Sequence, residues 1–343
     1  MAAVIPRLPD STTSQKQFTI GFVLLTRAGD DATSAAAAIE TLRKAFAGKF
    51  AELTQAKGNI PNVPASLEIA INSPAIGAAV TGPDVTIQGT IINTSGAETG
   101  VTVNGVVATV NGNRFIANHV PITEGSNTIT VTATDANGLI ATTSRTINAQ
   151  AGNYIRIRSN IESGTAPLEV SLRIEGSFNV TNPQITTSGT ATTEWLPAIS
   201  QTELAAKITS EGTLAVTASA VGPDGQQYSD TVTITVVSRT QLENLLKGKW
   251  EGIKTKTAAM DVEGALSFLP TSSQADYRDI FTSLGSRLPV LSQDLPSIKL
   301  KSVTNSRAKC LLLRQETVLG QQKTVGYPVN FIKENGIWKL REF

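Results

Sequence analysis

The side chains that could do chemistry are few, and histidine is the scarcest of them. His119 is the only one in 343 residues, which excludes a metal site built on several imidazoles and the paired histidines of a helical His-Glu-x-x-His motif. A nucleophilic triad would have to use His119, and no Gly-x-Ser-x-Gly elbow offers it a serine. It falls in Asn113 to Val120, which reads as a strand or its end, so a structural or solvent-exposed histidine is expected. Cys310, the only cysteine, alternates with Ala308 and Leu312 as a small buried core side chain would. A single thiol also excludes an internal disulfide framework.

Three sets of acids are candidates for more. Asp30 and Asp31 could hold a cation, but two acids opening an Ala-rich stretch are expected to cap a helix and face the positive end of its dipole. Asp135-Ala-Asn-Gly138 offers oxygens that calcium could use, yet one carboxylate and one amide beside a glycine are what a hairpin turn needs. Asp261, Asp276, Asp279 and Tyr277 are the acid and base candidates of the C-terminal region, where a carboxylate facing an aromatic hydroxyl could move a proton beside a carbonyl. Asp261 stands at an apparent helix start and the other acids lie in a polar helical segment. No residue is therefore assigned to catalysis, to a cofactor or to a metal.

The elements that must position these groups change character along the chain. Charge is balanced overall, with 29 Lys+Arg against 28 Asp+Glu, and gives no general pull toward nucleic acid or an anionic membrane. It is segregated, however: residues 58–206 hold 5 Arg, no Lys and 10 acids, whereas residues 239–343 hold 16 basic residues against 10 acidic ones. No run approaches the roughly 20 apolar residues of a membrane span. Phe18 to Thr26, after Lys16, is the nearest thing to a signal sequence, but it is short, ends at Arg27 and lacks a small-residue cleavage site. It reads instead as a buried strand, followed from Asp30 by an Ala-rich helix carrying Ile39, Leu42, Phe46 and Leu53.

Four segments result. Residues 1–60 are an N-terminal extension with that one strand and helix, and Gly58 to Pro64 is a Pro- and Gly-punctuated linker. Over 61–148 the apolar period becomes two, as in Leu67, Ile69, Ile71 and Ile129, Val131, Ala133. Turn signals recur at Asn72-Ser-Pro74, Asn104-Gly105, Asn111-Gly-Asn113, Glu124-Gly-Ser126 and Asp135 to Gly138, a spacing that predicts an antiparallel β-sandwich. Residues 149–238 repeat the pattern from Ile155 and Ile157 through Leu168 to Ile174 and on to Val232, Ile234 and Val236, which predicts a second sandwich. Over 239–343 helices come first: one with Leu242, Leu245, Leu246, Trp250 and Ile253, one starting at Asp261, and one with Tyr277, Ile280, Phe281, Leu284 and Leu288 that Pro289 should stop. Strands near 298–303, 308–315, 323–332 and 337–343 then predict a curved antiparallel sheet, hence an α+β roll.

The motifs Ile71-Asn-Ser-Pro74, Gly82-Pro83, Val101-Thr-Val-Asn-Gly105, Glu124-Gly-Ser-Asn127 and Thr134-Asp-Ala-Asn-Gly138 resemble a bacterial Ig-like module of the glucodextranase domain-B type. That resemblance implies an accessory module of secreted or surface proteins with no catalytic residues. Ser163-Gly-Thr-Ala-Pro-Leu168, Glu211-Gly-Thr-Leu214 and Gly222-Pro-Asp-Gly225 resemble the polycystic-kidney-disease-like Ig fold, with Leu214 where an aromatic is usual. The Trp250 helix, Met260-Asp-Val-Glu-Gly-Ala-Leu266 and Gly336-Ile-Trp-Lys-Leu340 resemble the nuclear transport factor 2-like or ketosteroid-isomerase-like cone. Its members range from isomerases to plain binding or dimerisation modules, so this likeness implies no single activity.

The expectation is a multidomain, mainly β, non-catalytic protein of the bacterial surface or extracellular space. Its sandwiches would serve as spacer or adhesion modules and its C-terminal cone as a binding or dimerisation module, homodimerisation included. Its partner would be a glycan or protein at the cell surface, not nucleic acid, and no cofactor is expected. One alternative is an accessory fragment of a larger secreted enzyme; another is a small-molecule enzyme acting in the cone.

Overall fold

The computed structural model describes residues 65–318 and 320–343. The strand expected over Phe18 to Thr26, the helix after it and the capping roles of Asp30 and Asp31 lie outside the described residues. Within them the chain is mainly β and sandwich-like, with one helical segment near its C-terminal side.

The first body contains β1 (Leu67–Ser73), β2 (Ala79–Thr81), β3 (Asp84–Asn93), β4 (Thr99–Val103), β5 (Val106–Val107), β6 (Thr109–Asn111), β7 (Arg114–Pro121), β8 (Gly125–Asp135) and β9 (Ile140–Gln150). These pair into two sheets, in the orders β1-β3-β7-β6 and β2-β9-β8-β4-β5. Period two turns one side of each strand inward, so Ile87, Val101, Val103, Ile129, Val131 and Ile147 form a closed core while the threonines of β8 face out. The turns at Asn104-Gly105 and Asp135 to Gly138 fall where the residue types place them. Glu124-Gly-Ser126 does not form the turn expected of it: β8 already starts at Gly125, and residues 122–124 make the connection.

The second body holds β10 (Ile155–Ser159), β11 (Ser163–Gly164), β12 (Leu168–Gly176), β13 (Gln184–Gly189), β14 (Thr193–Trp195), β15 (Glu203–Ile208), β16 (Gly212–Val221) and β17 (Gln227–Val236). One sheet runs β10-β12-β15-β14, the other β13-β16-β17-β11. Between them Ile157, Leu172, Ile208, Val216, Val232 and Ile234 are shut from solvent.

The third body starts with helix α1 (Arg239–Ala258), whose first turn is capped by the Ser238 hydroxyl accepting from the Gln241 amide. Short α2 (Val262–Leu266), α3 (Gln274–Leu284) and α4 (Leu288–Gln293) follow, then the meander β18 (Ile298–Thr304), β19 (Arg307–Val318), β20 (Gln321–Glu334) and β21 (Ile337–Glu342). Leu242, Leu246, Trp250 and Ile253 face the sheet across Leu300, Cys310, Phe331 and Leu340. Pro289 does not stop a helix as expected. The helix ends at Leu284 because Gly285 adopts φ +48, and Pro289 stands in the first turn of α4, where its missing N–H costs nothing.

The bodies are not strung out on linkers, and Ala65–Phe343 form one compact unit. The sheet ending at β11 continues through Gly164, opposite Thr304, into β18, so the second and third bodies share a hydrogen-bonded sheet. Asn305, at φ +50, accepts with its side chain from the amides of Glu162 (2.7 Å) and Ser163 (3.2 Å). The first body also reaches the third. Glu98 accepts from the Trp338 amide at 2.9 Å and lies 2.6 Å from Lys249 Nζ, a charge contact off the hydrogen-bond direction. Beside it Gly100 and Gly336 pack backbone to backbone: a Cβ on Gly100 would come within 2.1 Å of the Asn335 carbonyl oxygen.

Candidate functional site

His119 lies at the seam between the first two bodies. In the β3–β7 ladder Val85 pairs with Val120 and Ile87 with Ala117, so Asn118 and His119 together oppose Thr86. This is a β-bulge, and with His119 at φ +53 it turns both side chains toward the second body. Asn118 then completes the edge of β17, donating to the Thr233 carbonyl (2.9 Å) and accepting from its amide (3.1 Å). His119 is not solvent-exposed: only 7% of its side chain reaches water. Its Nε2 lies 2.9 Å from the Ile157 carbonyl oxygen, which can only accept, and its Nδ1 lies 3.0 Å from Asp84 Oδ1. Both nitrogens are therefore placed as donors, the arrangement of an imidazolium.

Asp84 anchors the cluster. Its Oδ2 accepts from Arg156 (2.8 Å) and Arg158 (3.1 Å), and Arg156 also reaches Glu175 at 2.5 Å. Burial by itself would lift the Asp84 carboxyl, but the hydrogen bonds and charges of His119 and Arg156 hold it below the usual carboxylate range. Burial by itself would depress His119, yet the hydrogen bond and charge of Asp84, helped by Asp230 and opposed by Arg158, keep it above its ordinary value. Asp230, which accepts from the Ile157 amide at 2.9 Å, and Glu162 are pushed up by burial. The group resembles a proton-transfer site in composition only, because both imidazole nitrogens are already committed to the protein and neither is left to take a proton from a substrate.

The other candidates also have local roles. Asp135, 2% exposed, accepts from the amides of Asn137 and Leu139 at 2.9 Å each and from Ser95 and Asn93. These bonds outweigh the upward push of burial and lower its pKa. The carboxylate thus staples the β8–β9 turn. Asp261 caps α2 by accepting from the Gly264 amide at 2.9 Å and pairs with Lys256 at 2.8 Å. Cys310 is buried in the third core, and burial pushes its thiol up to about 12, where the nucleophilic thiolate is absent at neutral pH. Among the described residues no three His, Cys, Asp or Glu side chains gather as metal ligands.

The third body contains a cavity of about 340 Å³ beneath α1, α3 and α4. Its floor is Trp250, Ile253, Phe281 and Leu288, with the buried hydroxyls of Thr257 and Ser292 bonded to each other at 2.8 Å. Trp250 donates its indole N–H to the Pro296 carbonyl (2.9 Å) and meets Phe343 edge-on at 5.4 Å. Phe343 in turn stacks on Tyr277 at 5.4 Å. Of the four acid and base candidates only Tyr277 lines this space, and burial raises its phenol. Asp276 and Asp279 are exposed on α3, and Asp261 is held at its cap, so none of these three carboxylates lines the space with the phenol. Lys254, Arg314 and Asp294 stand among the lining groups.

Sequence reasoning did not single out Asp84, Asn118, Arg156 or Glu98. For Arg156 and Arg158 a signal existed: two arginines two apart in a strand must project from one face. For the others none did, since each is an ordinary polar residue until the bodies meet.

Residues 67–151, the span of the first sandwich, match the family described as Glucodextranase, domain B. No curated protein matches the chain. Among solved structures, domains 5-6 of the S-layer protein SbsC are 17% identical with a TM-score of 0.25, covering 51% of this chain and 100% of that one. Fibronectin(III)-like modules of Clostridium thermocellum CbhA are 10% identical at 0.19, covering 49% and 93%. Titin domains z1z2 are 14% identical at 0.20, covering 51% and 97%. At these scores the superpositions add nothing to the sandwich assignment, which rests on the strand pairing and, over residues 67–151, on the match to an Ig-like accessory family.

Proposed function

We propose that the chain is a non-catalytic modular protein of the secreted or surface space, in which two Ig-like sandwiches form a support and the C-terminal body binds a partner. The observation that carries this reading is the cavity of the third body, lined mostly by apolar and aromatic side chains with Lys254, Asp294 and Arg314 among them, and by none of Asp261, Asp276 and Asp279. Such a chamber binds by burying apolar surface, with a few polar groups fixing orientation. Its helices-then-meander order fits the nuclear transport factor 2-like resemblance, and the second sandwich fits the polycystic-kidney-disease-like one. An adhesion role suits the module type better than a spacer role, because bodies that clamp one another do not extend. Homodimerisation through the third body belongs to the same reading and is checked by light scattering.

The test is titration of the full chain with the apolar fluorophore 1-anilinonaphthalene-8-sulfonate, alongside a Leu291→Trp variant. Leu291 lines the cavity and is 43% exposed, so a larger side chain there narrows the opening without disturbing the core. Saturable enhancement in the parent chain, lost in the variant, supports the reading; a parent chain that gives none rules it out. Protease accessibility on intact source cells tests the surface location.

A second reading follows from the name of the matched family, which is a domain of a glucodextranase. The chain would then be the accessory part of a secreted carbohydrate-active enzyme, and a native polypeptide longer than 343 residues would favour it.

A further inference from the structure

A second cleft, of about 370 Å³, opens at the seam of the first two bodies. Its walls are the β2–β3 connection of the first body, residues 153–156 entering β10, and the start of β17. Two tyrosines line it. Tyr154 packs against Gly82, and Tyr228 is fixed by a hydrogen bond from its hydroxyl to Asp224 at 2.7 Å and by Phe178 at 5.7 Å. Ordered rings in a cleft offer flat apolar faces at little entropic cost. Around them stand Asn153, Gln227 and Ser229, along with Thr86, whose buried hydroxyl has no protein partner. That hydroxyl is sealed from the cleft, so the hydrogen-bonding side chains a ligand can reach are those of Asn153, Gln227 and Ser229.

The charges select the ligand class. Asp84 and Asp230 are offset by Arg156 and His119, and Arg156 is already shared between Asp84 and Glu175. An incoming anion finds no free cation and meets Asp230; an incoming cation meets Arg156, and the acids it would seek are already engaged, Asp84 by Arg156, Arg158 and His119 and Asp230 by the Ile157 amide. A purely apolar molecule would bury the amide and hydroxyl groups unpaired. What remains is a neutral molecule with hydroxyls at its edges and C–H faces for the tyrosines. We propose that this seam cleft binds a neutral saccharide of one to three rings, held by both bodies at once. The site gives a ligand class to the surface role proposed above but lies apart from the C-terminal cavity, so either can fail alone.

The test is calorimetric titration of the full chain with maltotriose, isomaltotriose, cellotriose and chitotriose, with trigalacturonate as the anionic control. At least one neutral probe is expected to bind with Kd in the millimolar range or tighter, about −4 kcal/mol or better, and trigalacturonate is not. Tyr154→Ala is expected to weaken binding about tenfold or more. Because that change could loosen the seam, Gln227→Ala and Ser229→Ala, both at exposed positions, serve as parallel variants. They should weaken binding while leaving the melting temperature of the free protein unchanged. The proposal is overturned if no neutral probe binds, if trigalacturonate binds as well as the neutral probes, or if all three variants bind like the parent.

Discussion

At the scale of single residues, His119 and Asp84 join the first two bodies through hydrogen bonds to Ile157 and Arg156. His119 makes a prediction whose sign follows from linkage. Its folded pKa is raised, so its stabilising contribution is complete below its ordinary value of about 6.5 and is lost as pH climbs through the folded value. Asp84 acts in the opposite sense, since its lowered pKa gives stability that is lost only when pH falls through the folded value, well into acid. Glu162 and Asp230, both raised, favour the folded state on the acid side and soften that loss. The melting temperature should therefore decline from pH 6 toward pH 9 in the parent, and in His119→Gln that slope should flatten. An unchanged slope would mean that the imidazole is not charged in the fold. Asp84→Asn should cost about 3 kcal/mol in chemical denaturation, because it leaves the buried His119 imidazolium without its carboxylate while Arg156 keeps Glu175.

At the scale of elements, most of the secondary structure was legible because period and punctuation act locally. The face Leu242, Leu246, Trp250 and Ile253 is buried as the helical period predicts. Trp250→Ala should destabilise by about 3 to 5 kcal/mol, read from urea unfolding of the full chain. The misreadings were also local. Proline ends one helix or opens another depending on the residues before it, and at Pro289 it opens α4 because Gly285 has already closed α3. Pro289→Ala should accordingly change stability by less than about 1 kcal/mol, since alanine also suits a first helical turn. The bulge at Asn118 and His119 could not be read, because nothing in Asn113 to Val120 shows which partner strand runs one residue short. It is nevertheless the element that aims both side chains across the seam.

At the scale of the whole molecule, what the sequence concealed is the way the bodies meet. Each core follows from alternation inside its own segment, whereas the seams join residues far apart in the chain, such as Glu98 with Trp338 and Asn118 with Thr233. A modular sequence suggests beads with linkers, but the shared sheet at Gly164 and Thr304 and the contact of Gly100 with Gly336 bind the third body to both others. Three cores joined by such interfaces should unfold together if the interfaces contribute more than the difference in stability between the bodies. Calorimetry of the parent should then show one cooperative transition. Glu98→Ala removes the acceptor for the Trp338 amide and leaves Lys249 without its acid, at a cost of about 3 kcal/mol. Gly100→Ala attacks the same seam sterically, since its methyl group would overlap the Asn335 carbonyl and force the backbones apart, for about 1 to 3 kcal/mol. In both variants the single transition should split, the third body melting first, and the small-angle scattering radius should grow before either sandwich unfolds. A parent that already melts in separate steps would show that the seams order the bodies without coupling their stability, and would restore the spacer reading.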